Sequence, residues 1–275
     1  MINNFLYFRP ESEDEVIERL KQYAAESKIL AGGTDLLIYM KQYSLLPSVL
    51  IDIKGIKDLS KIDLDSDGNL IINAAVTCND LIENNYIRKH YPVLAEAAHT
   101  IGSYQIRNRA TIVGNICNAS PAADMAGPLL VLDAAVVIHN GESIYEVPIK
   151  NFFTGVKKTV LKPTEYVKAI KVPGKYKDKE SGYLKASRIK GHDLGICNVA
   201  VSKNNGTVKV AIGSCNITPV LLPDFESKQL DVKEVIDVAM KNINPIDDVR
   251  GSKEYRRHLV KVFIQRLLTK EEISH

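Results

Sequence analysis

Residues 107–135, RNRATIVGNICNASPAADMAGPLLVLDAA, decide how this chain is read. Gly114, Asn115, Asn118, Ser120, Pro121 and Asp124 stand there between two apolar runs, a composition that suits a turning backbone. Such a loop offers free N–H groups and short polar side chains, which a phosphate-bearing ligand needs and which an apolar core does not tolerate unpaired. An ordinary surface turn has the same composition, so the stretch alone leaves both readings open.

A second stretch, ILAGGTDL at residues 29–36, shifts the balance. It reads as a short apolar strand that runs into Gly32, Gly33 and Thr34 and then into a helical pattern over residues 35–43. Glycines at a strand-to-helix turn let the backbone approach a ligand closely and direct N–H groups at an anion. The pattern is not the GxGxxG of a dinucleotide fold, and the chain has no GxxxxGK[ST] phosphate loop.

Composition bounds the answer. The chain has 275 residues, 45% hydrophobic and 25% charged, room for two or three modest cores. A net charge of +3, with both signs interspersed, gives no broad nucleic-acid surface. Lys157, Lys158, Lys175, Lys177 and Lys179 read as solvated charges in exposed loops. No apolar run approaches the roughly 20 residues of a membrane span, and MINNFLYFRPES lacks a basic lead and a small-residue cleavage site. A cytoplasmic protein is expected. Cys78, Cys117, Cys197 and Cys215 form no CxxC pair, so neither zinc nor an iron–sulfur cluster is expected on this chain. They read as buried free thiols.

Taken in order, an extended run with Phe5, Tyr7 and Phe8 precedes a helix with Val16, Ile17, Leu20 and Tyr23 at helical spacing. Ser12 and Glu15 form a capping-box pattern at its start. The glycine turn follows, then a strand over residues 49–53, completing a small lobe that ends near Lys54. Asp67-Gly68 marks a hairpin between strands at 62–64 and 70–74. Helices are expected at 79–84, opened by Thr77, and at 91–98, with a buried helix at 127–133. Asn140-Gly141 reads as a type I′ turn between strands at 135–138 and 143–147, and a further strand covers 165–172. PGKYKDKESG at 173–182 is a charged linker. Beyond it, strands at 182–188, 196–202 and 208–214 make an antiparallel sheet, with Asn204-Asn205-Gly206 turning the second into the third. Amphipathic helices cover 232–243 and 255–268, the latter capped by Ser252 after the solvated charges of DDVRGSKEYRRHL.

The two glycine-containing motifs, about eighty residues apart, resemble those of the flavin-binding subunits of the molybdenum hydroxylases, the xanthine dehydrogenase and carbon monoxide dehydrogenase family. There, patterns like AGGTDL and TIGGNICNASPAAD embrace the pyrophosphate of FAD. YLKASRIKGHDLGICNVAV and DDVRGSKEYRRHL resemble two further family segments, so the resemblance covers nearly the whole chain. It implies an α+β protein: a two-lobed FAD-binding domain of the PCMH type over residues 1–174, with lobes at about 1–54 and 55–174. A C-terminal domain of three antiparallel strands with helices, residues 175–275, follows.

By the same resemblance, noncovalent FAD is held by Ile29, Leu30, Ala31, Gly32, Gly33, Thr34, Asp35 and Leu36, and by Thr111, Gly114, Asn115 and Ser120 of the second motif. Asp124 accepts hydrogen bonds from ribose or ribityl hydroxyls, Ile101 packs on the isoalloxazine, and Lys185 approaches the flavin edge. No catalytic residue and no metal ligand is implied. Molybdopterin and 2Fe-2S clusters belong to partner subunits, one carrying iron–sulfur and one molybdopterin, and electrons pass through FAD to NAD⁺ or another acceptor. The alternative is a flavin-free scaffold of the same fold. One departure bears on it: Val113 stands where the family has glycine. If it takes an ordinary φ with its side chain turned away, the motif is intact; otherwise it obstructs the site.

Overall fold

The computed structural model describes residues 4–42, 45–189 and 193–269. Residues 43–44, of which Tyr43 ends the helical pattern expected over 35–43, residues 190–192 of the RIKGHDL segment, and residues 1–3 and 270–275 lie outside the described residues.

The first lobe is a three-stranded parallel sheet in the order Leu6–Phe8, Val49–Asp52, Ser27–Leu30. All four residues of the central strand are buried, as expected where a strand is covered on both faces. The helix Glu13–Tyr23 lies between the first two strands in sequence and buries Val16, Ile17 and Leu20. Ser12 Oγ accepts from the Glu15 backbone N–H at 3.3 Å. The reciprocal arm of the expected capping box goes elsewhere: the Glu15 carboxylate accepts from the Glu11 N–H, one residue upstream.

The second lobe is a five-stranded antiparallel sheet, ordered Ile62–Leu64, Leu70–Asn73, Tyr166–Val172, Ala135–His139, Ile144–Pro148. The expected hairpin at Asp67-Gly68 is present, with Leu64 opposite Leu70 and Gly68 at φ +77°. The expected type I′ turn at Asn140-Gly141 is not. His139 pairs with Ile144, so four residues connect the strands, and of the two only Gly141 has positive φ. Asn140 Oδ1 accepts from the N–H groups of Glu142 and Ser143, a local alternative to the backbone turn. Between the hairpins run six short helices, Cys78–Glu83, Asn85–His90, Pro92–His99, Tyr104–Arg107, Ile112–Cys117 and the wholly buried Ala126–Val131. Thr77 and Asp80 form a complete capping box on the first.

The third region is an antiparallel sheet of Glu180–Ala186, Cys197–Asn204 and Thr207–Gly213, extended by the two-residue strands Val220–Leu221 and Phe225–Glu226. Asn205 and Gly206, both at positive φ, make its two-residue hairpin turn. Helices Val232–Asn242 and Lys253–Thr269 cover one face. Ser252 caps the last helix as expected. Its neighbouring charges are not simply solvated: Arg256 is 3% exposed, pairs with Asp248 at 2.7 Å and donates to the carbonyls of Ile196 and Ser214. The region is not isolated from the lobes, since Tyr183, Ala200 and Ala211 belong to the core built around the second lobe. The expected linker is anchored as well. Tyr176 is buried and bonds Asp133 at 2.5 Å, and Lys175 reaches the same carboxylate at 3.3 Å.

Candidate cofactor site

Parallel pairing places the end of Ser27–Leu30 beside Asp52, so the chain leaves the first sheet through Ala31, Gly32 and Gly33 next to residues 52–54. Lys54 Nζ donates to the Ala31 carbonyl at 2.9 Å and to Asp52 Oδ1 at 2.7 Å. Tyr7 Oη donates to Asp52 Oδ2 at 2.6 Å. Burial works against ionisation of Asp52, but the bonds from Lys54 and Tyr7 hold its carboxyl below the ordinary carboxylate range. The strand end is thus fixed by a network of Lys54, Asp52 and Tyr7 that does not involve the glycines.

Gly32 is where the two motifs meet. A Cβ there would stand 1.9 Å from the Arg109 carbonyl oxygen and 3.0 Å from Ala110 Cα, so only glycine lets the two backbones touch. Gly33 has φ +73°, which requires glycine for a second reason. Among the described residues, the N–H groups of Gly32, Gly33, Thr34 and Asp35 donate to no acceptor of the chain. Consecutive unpaired N–H groups in a glycine turn form an anion nest, the donor set a diphosphate needs. Asp35 stands at the start of the helix Leu36–Lys41 without capping it.

The second motif differs from expectation. Thr111 to Asn115 is not a loop: Thr111 is the N-cap of the helix Ile112–Cys117, and its Oγ1 accepts from the Gly114 N–H at 2.9 Å. Gly114 is needed because a Cβ would lie 2.7 Å from that same oxygen. Val113 is absent from the residues of positive φ and is buried within the main core, so its side chain points away from the motif's exposed side. Asn115 Oδ1 accepts from the Met125 N–H and Ser120 Oγ from the Ala122 N–H. These two side chains brace the turn that carries Ala119 at φ +46°. Lys157, expected to be solvated, bridges that turn to the helix that follows the first motif, donating to Asn118 Oδ1 at 2.9 Å and to Tyr39 Oη at 2.5 Å.

Asp124 lies 5% exposed at the seam with the third region. It does not cap the following helix, whose N-cap is Met125. Its Oδ1 accepts from Tyr183 Oη and its Oδ2 from Lys185 Nζ, both at 2.8 Å. Burial pushes the Asp124 carboxyl up, opposed by Lys185 and Tyr183. Burial, followed by the Asp124 charge, raises the Tyr183 phenol well above its usual value. Lys185 Nζ also donates to the Thr100 carbonyl, the residue before Ile101. The structure therefore brings Asp124, Lys185 and the Ile101 loop together, and sets the residue 29–36 turn against Arg109.

Sequence reasoning missed Lys54, Tyr7, Tyr183 and Arg107. Tyr183 was within reach, because residues i and i+2 of a strand share a face and Lys185 was already singled out. Lys54 could have been placed by pairing the strands before residues 31 and 53. Among the described residues, no group of three His, Cys, Asp or Glu side chains is placed to hold a metal ion, and no helix is long and apolar enough to cross a membrane. The four cysteines are free, three buried and Cys117 partly so.

A glycine turn meets a threonine-capped helix in a two-lobed α+β domain, and sequence comparison assigns the class. Residues 3–175 match the family model "FAD binding domain in molybdopterin dehydrogenase", and residues 182–270 match "CO dehydrogenase flavoprotein C-terminal domain". The chain is 32% identical over 257 residues to the xanthine dehydrogenase FAD-binding subunit of Escherichia coli O157:H7, covering 89% of this chain and 88% of that one. It is 31% identical over 276 residues to the carbon monoxide dehydrogenase medium chain of Hydrogenophaga pseudoflava, covering 96% of each. The solved carbon monoxide dehydrogenase of that organism, in a form lacking the Mo-pyranopterin moiety, superposes with a TM-score of 0.89 at 29% identity, over 98% of this chain and 97% of that one. The chain belongs to the FAD-binding subunit family of the xanthine and carbon monoxide dehydrogenase type, oxidoreductases of the molybdenum hydroxylase class.

Proposed function

We propose that the chain holds one FAD noncovalently and works as the electron-transfer subunit of a molybdenum hydroxylase complex. Electrons arrive from the 2Fe-2S clusters of one partner subunit, after a molybdopterin-bearing partner has oxidised the substrate, and leave to NAD⁺ or another acceptor. The domain limits are those of residues 1–174 and 175–275.

The observation that carries this reading is the contact of Gly32 with Arg109, beside four N–H groups without acceptors among the described residues. It joins the motifs into one cradle with room for no side chain between them. FAD supplies the one- and two-electron chemistry when bound. The protein's part is placement. Residues 29–36 hold the diphosphate through backbone N–H groups, Lys54 brings a positive charge to the base of that turn, and Thr111, Gly114, Asn115 and Ser120 hold the facing wall. Ile101 offers an apolar side chain to the isoalloxazine, while Asp124 and Lys185 meet the ribityl hydroxyls and the flavin edge. Selection of the substrate to be hydroxylated falls to the molybdopterin-bearing partner.

The visible spectrum of the purified chain tests the reading. Flavin absorbance that acid releases into solution is expected. A colourless protein that takes up no added FAD would establish the scaffold alternative.

A further inference from the structure

Four successive backbone carbonyls at residues 99–102 accept hydrogen bonds from two buried cationic side chains. Arg107 Nη1 donates to His99 O at 3.1 Å, Ile101 O at 3.2 Å and Gly102 O at 2.8 Å. Lys185 Nζ donates to Thr100 O at 3.1 Å. Arg107 belongs to the second lobe and is 8% exposed. Among the described residues it has no carboxylate partner. Its Nε donates instead to Asn79 Oδ1, while Asn79 Nδ2 donates to Asn108 Oδ1 and Tyr104 O.

A buried guanidinium without an anion is costly unless its donors are satisfied. Here carbonyls and an amide take the Nη1 and Nε donors, including the last carbonyl of the helix Pro92–His99, where a cation is favoured. Turning four consecutive carbonyls toward the cations defines the path of the loop. Gly102, at φ +50° with its missing Cβ 2.8 Å from Ile106 Cγ2, permits that path.

We propose that Arg107 is the positioning residue of the flavin end of the site: with Lys185 it clamps residues 99–102 so that Ile101 stands ready for the isoalloxazine. The inference rests on the FAD assignment above. The clamp acts on one end of the ligand only. ADP, which has the diphosphate and adenosine but no isoalloxazine, engages the glycine turn and is indifferent to it.

The test compares FAD and ADP affinities of the full chain, freed of flavin, with those of Arg107→Lys, which keeps a charge but not a guanidinium's spread of donors. Backbone amide exchange of residues 99–104 is followed in parallel. The expected result is a tenfold or greater loss of FAD affinity, ADP affinity within twofold, and faster exchange confined to the loop. Equal losses for FAD and ADP would show a general structural role and overturn the inference, as would unchanged FAD affinity or unchanged exchange. If Arg107→Lys fails to fold, Gly102→Ala disturbs the loop from its other side and carries the same expectations and the same refutations. Failure of the unaltered chain to bind FAD would remove the FAD assignment together with this inference. Retained binding with no FAD-specific loss removes the inference alone.

Discussion

The two arms of the cradle solve opposite problems. The residue 29–36 arm turns on bare backbone, where among the described residues the N–H groups of residues 32–35 have no internal acceptors, and its glycines are dictated by contacts with another segment and by φ. The second arm is capped, braced and packed: Thr111 closes a helix, Asn115 and Ser120 tie down the next turn, and Asp124 is buried in an ion pair. One arm offers groups to a ligand, whereas the other spends most of its groups on holding shape. Motif glycines therefore mean different things in the two arms, which is why Val113 is tolerated in the second and no side chain would be at position 32.

The strongest way to break this contrast is Asp124→Ala. Lys185, with its side chain 5% exposed, would be left without its anion, and losing one partner of a buried pair costs about 3–5 kcal/mol. Denaturant unfolding should show that loss, together with weaker FAD binding. The double substitution Asp124→Ala/Lys185→Met should recover part of the stability, and strict additivity would show that the pair is not coupled.

Gly32→Ala comes next. A methyl 1.9 Å from the Arg109 oxygen must force the arms apart, at about 3 kcal/mol or somewhat less for overpacking, with FAD binding lost by spectral titration. An alanine variant that binds FAD normally would mean the two arms need not touch.

Val113→Gly should cost about 2–3 kcal/mol, since a buried valine is removed and glycine enters a helix. FAD affinity should stay within threefold. A tenfold gain in affinity would reveal an obstruction that the buried side chain does not suggest. The smallest effect belongs to Thr111→Val, which removes the cap on Gly114 for about 1 kcal/mol. A small rise in FAD dissociation rate is expected with it, measured by stopped-flow release.

Much of this was legible in the sequence. Alternating and helical periodicities located most strands and the longer helices, and Asn205-Gly206 announced its own turn. The site was harder to read because its meaning lies in contacts between distant residues. Gly114 and Asn115 are poor helix formers, so Thr111 to Asn115 read as a loop until tertiary packing and the threonine cap made it helical. Arg107 and Arg256 sit in charge-rich runs that resemble solvated surface, and both are buried because backbone carbonyls, rather than nearby acids alone, accept their hydrogen bonds. By resemblance Asp124 read as a ligand contact alone. Its pairing with a lysine sixty-one residues away makes it a stability residue as well.

That pairing limits how the chain can vary. The two family-matched segments, residues 3–175 and 182–270, look like modules that could be traded between relatives. Yet Tyr183, Ala200 and Ala211 complete the core of the first segment, and Tyr183 and Lys185 supply both partners of Asp124. A chimaera joined near residue 178 would place foreign side chains against that carboxylate. Viable hybrids must carry the strand Glu180–Ala186 along with the amino-terminal segment, so the unit of inheritance runs past the apparent domain border.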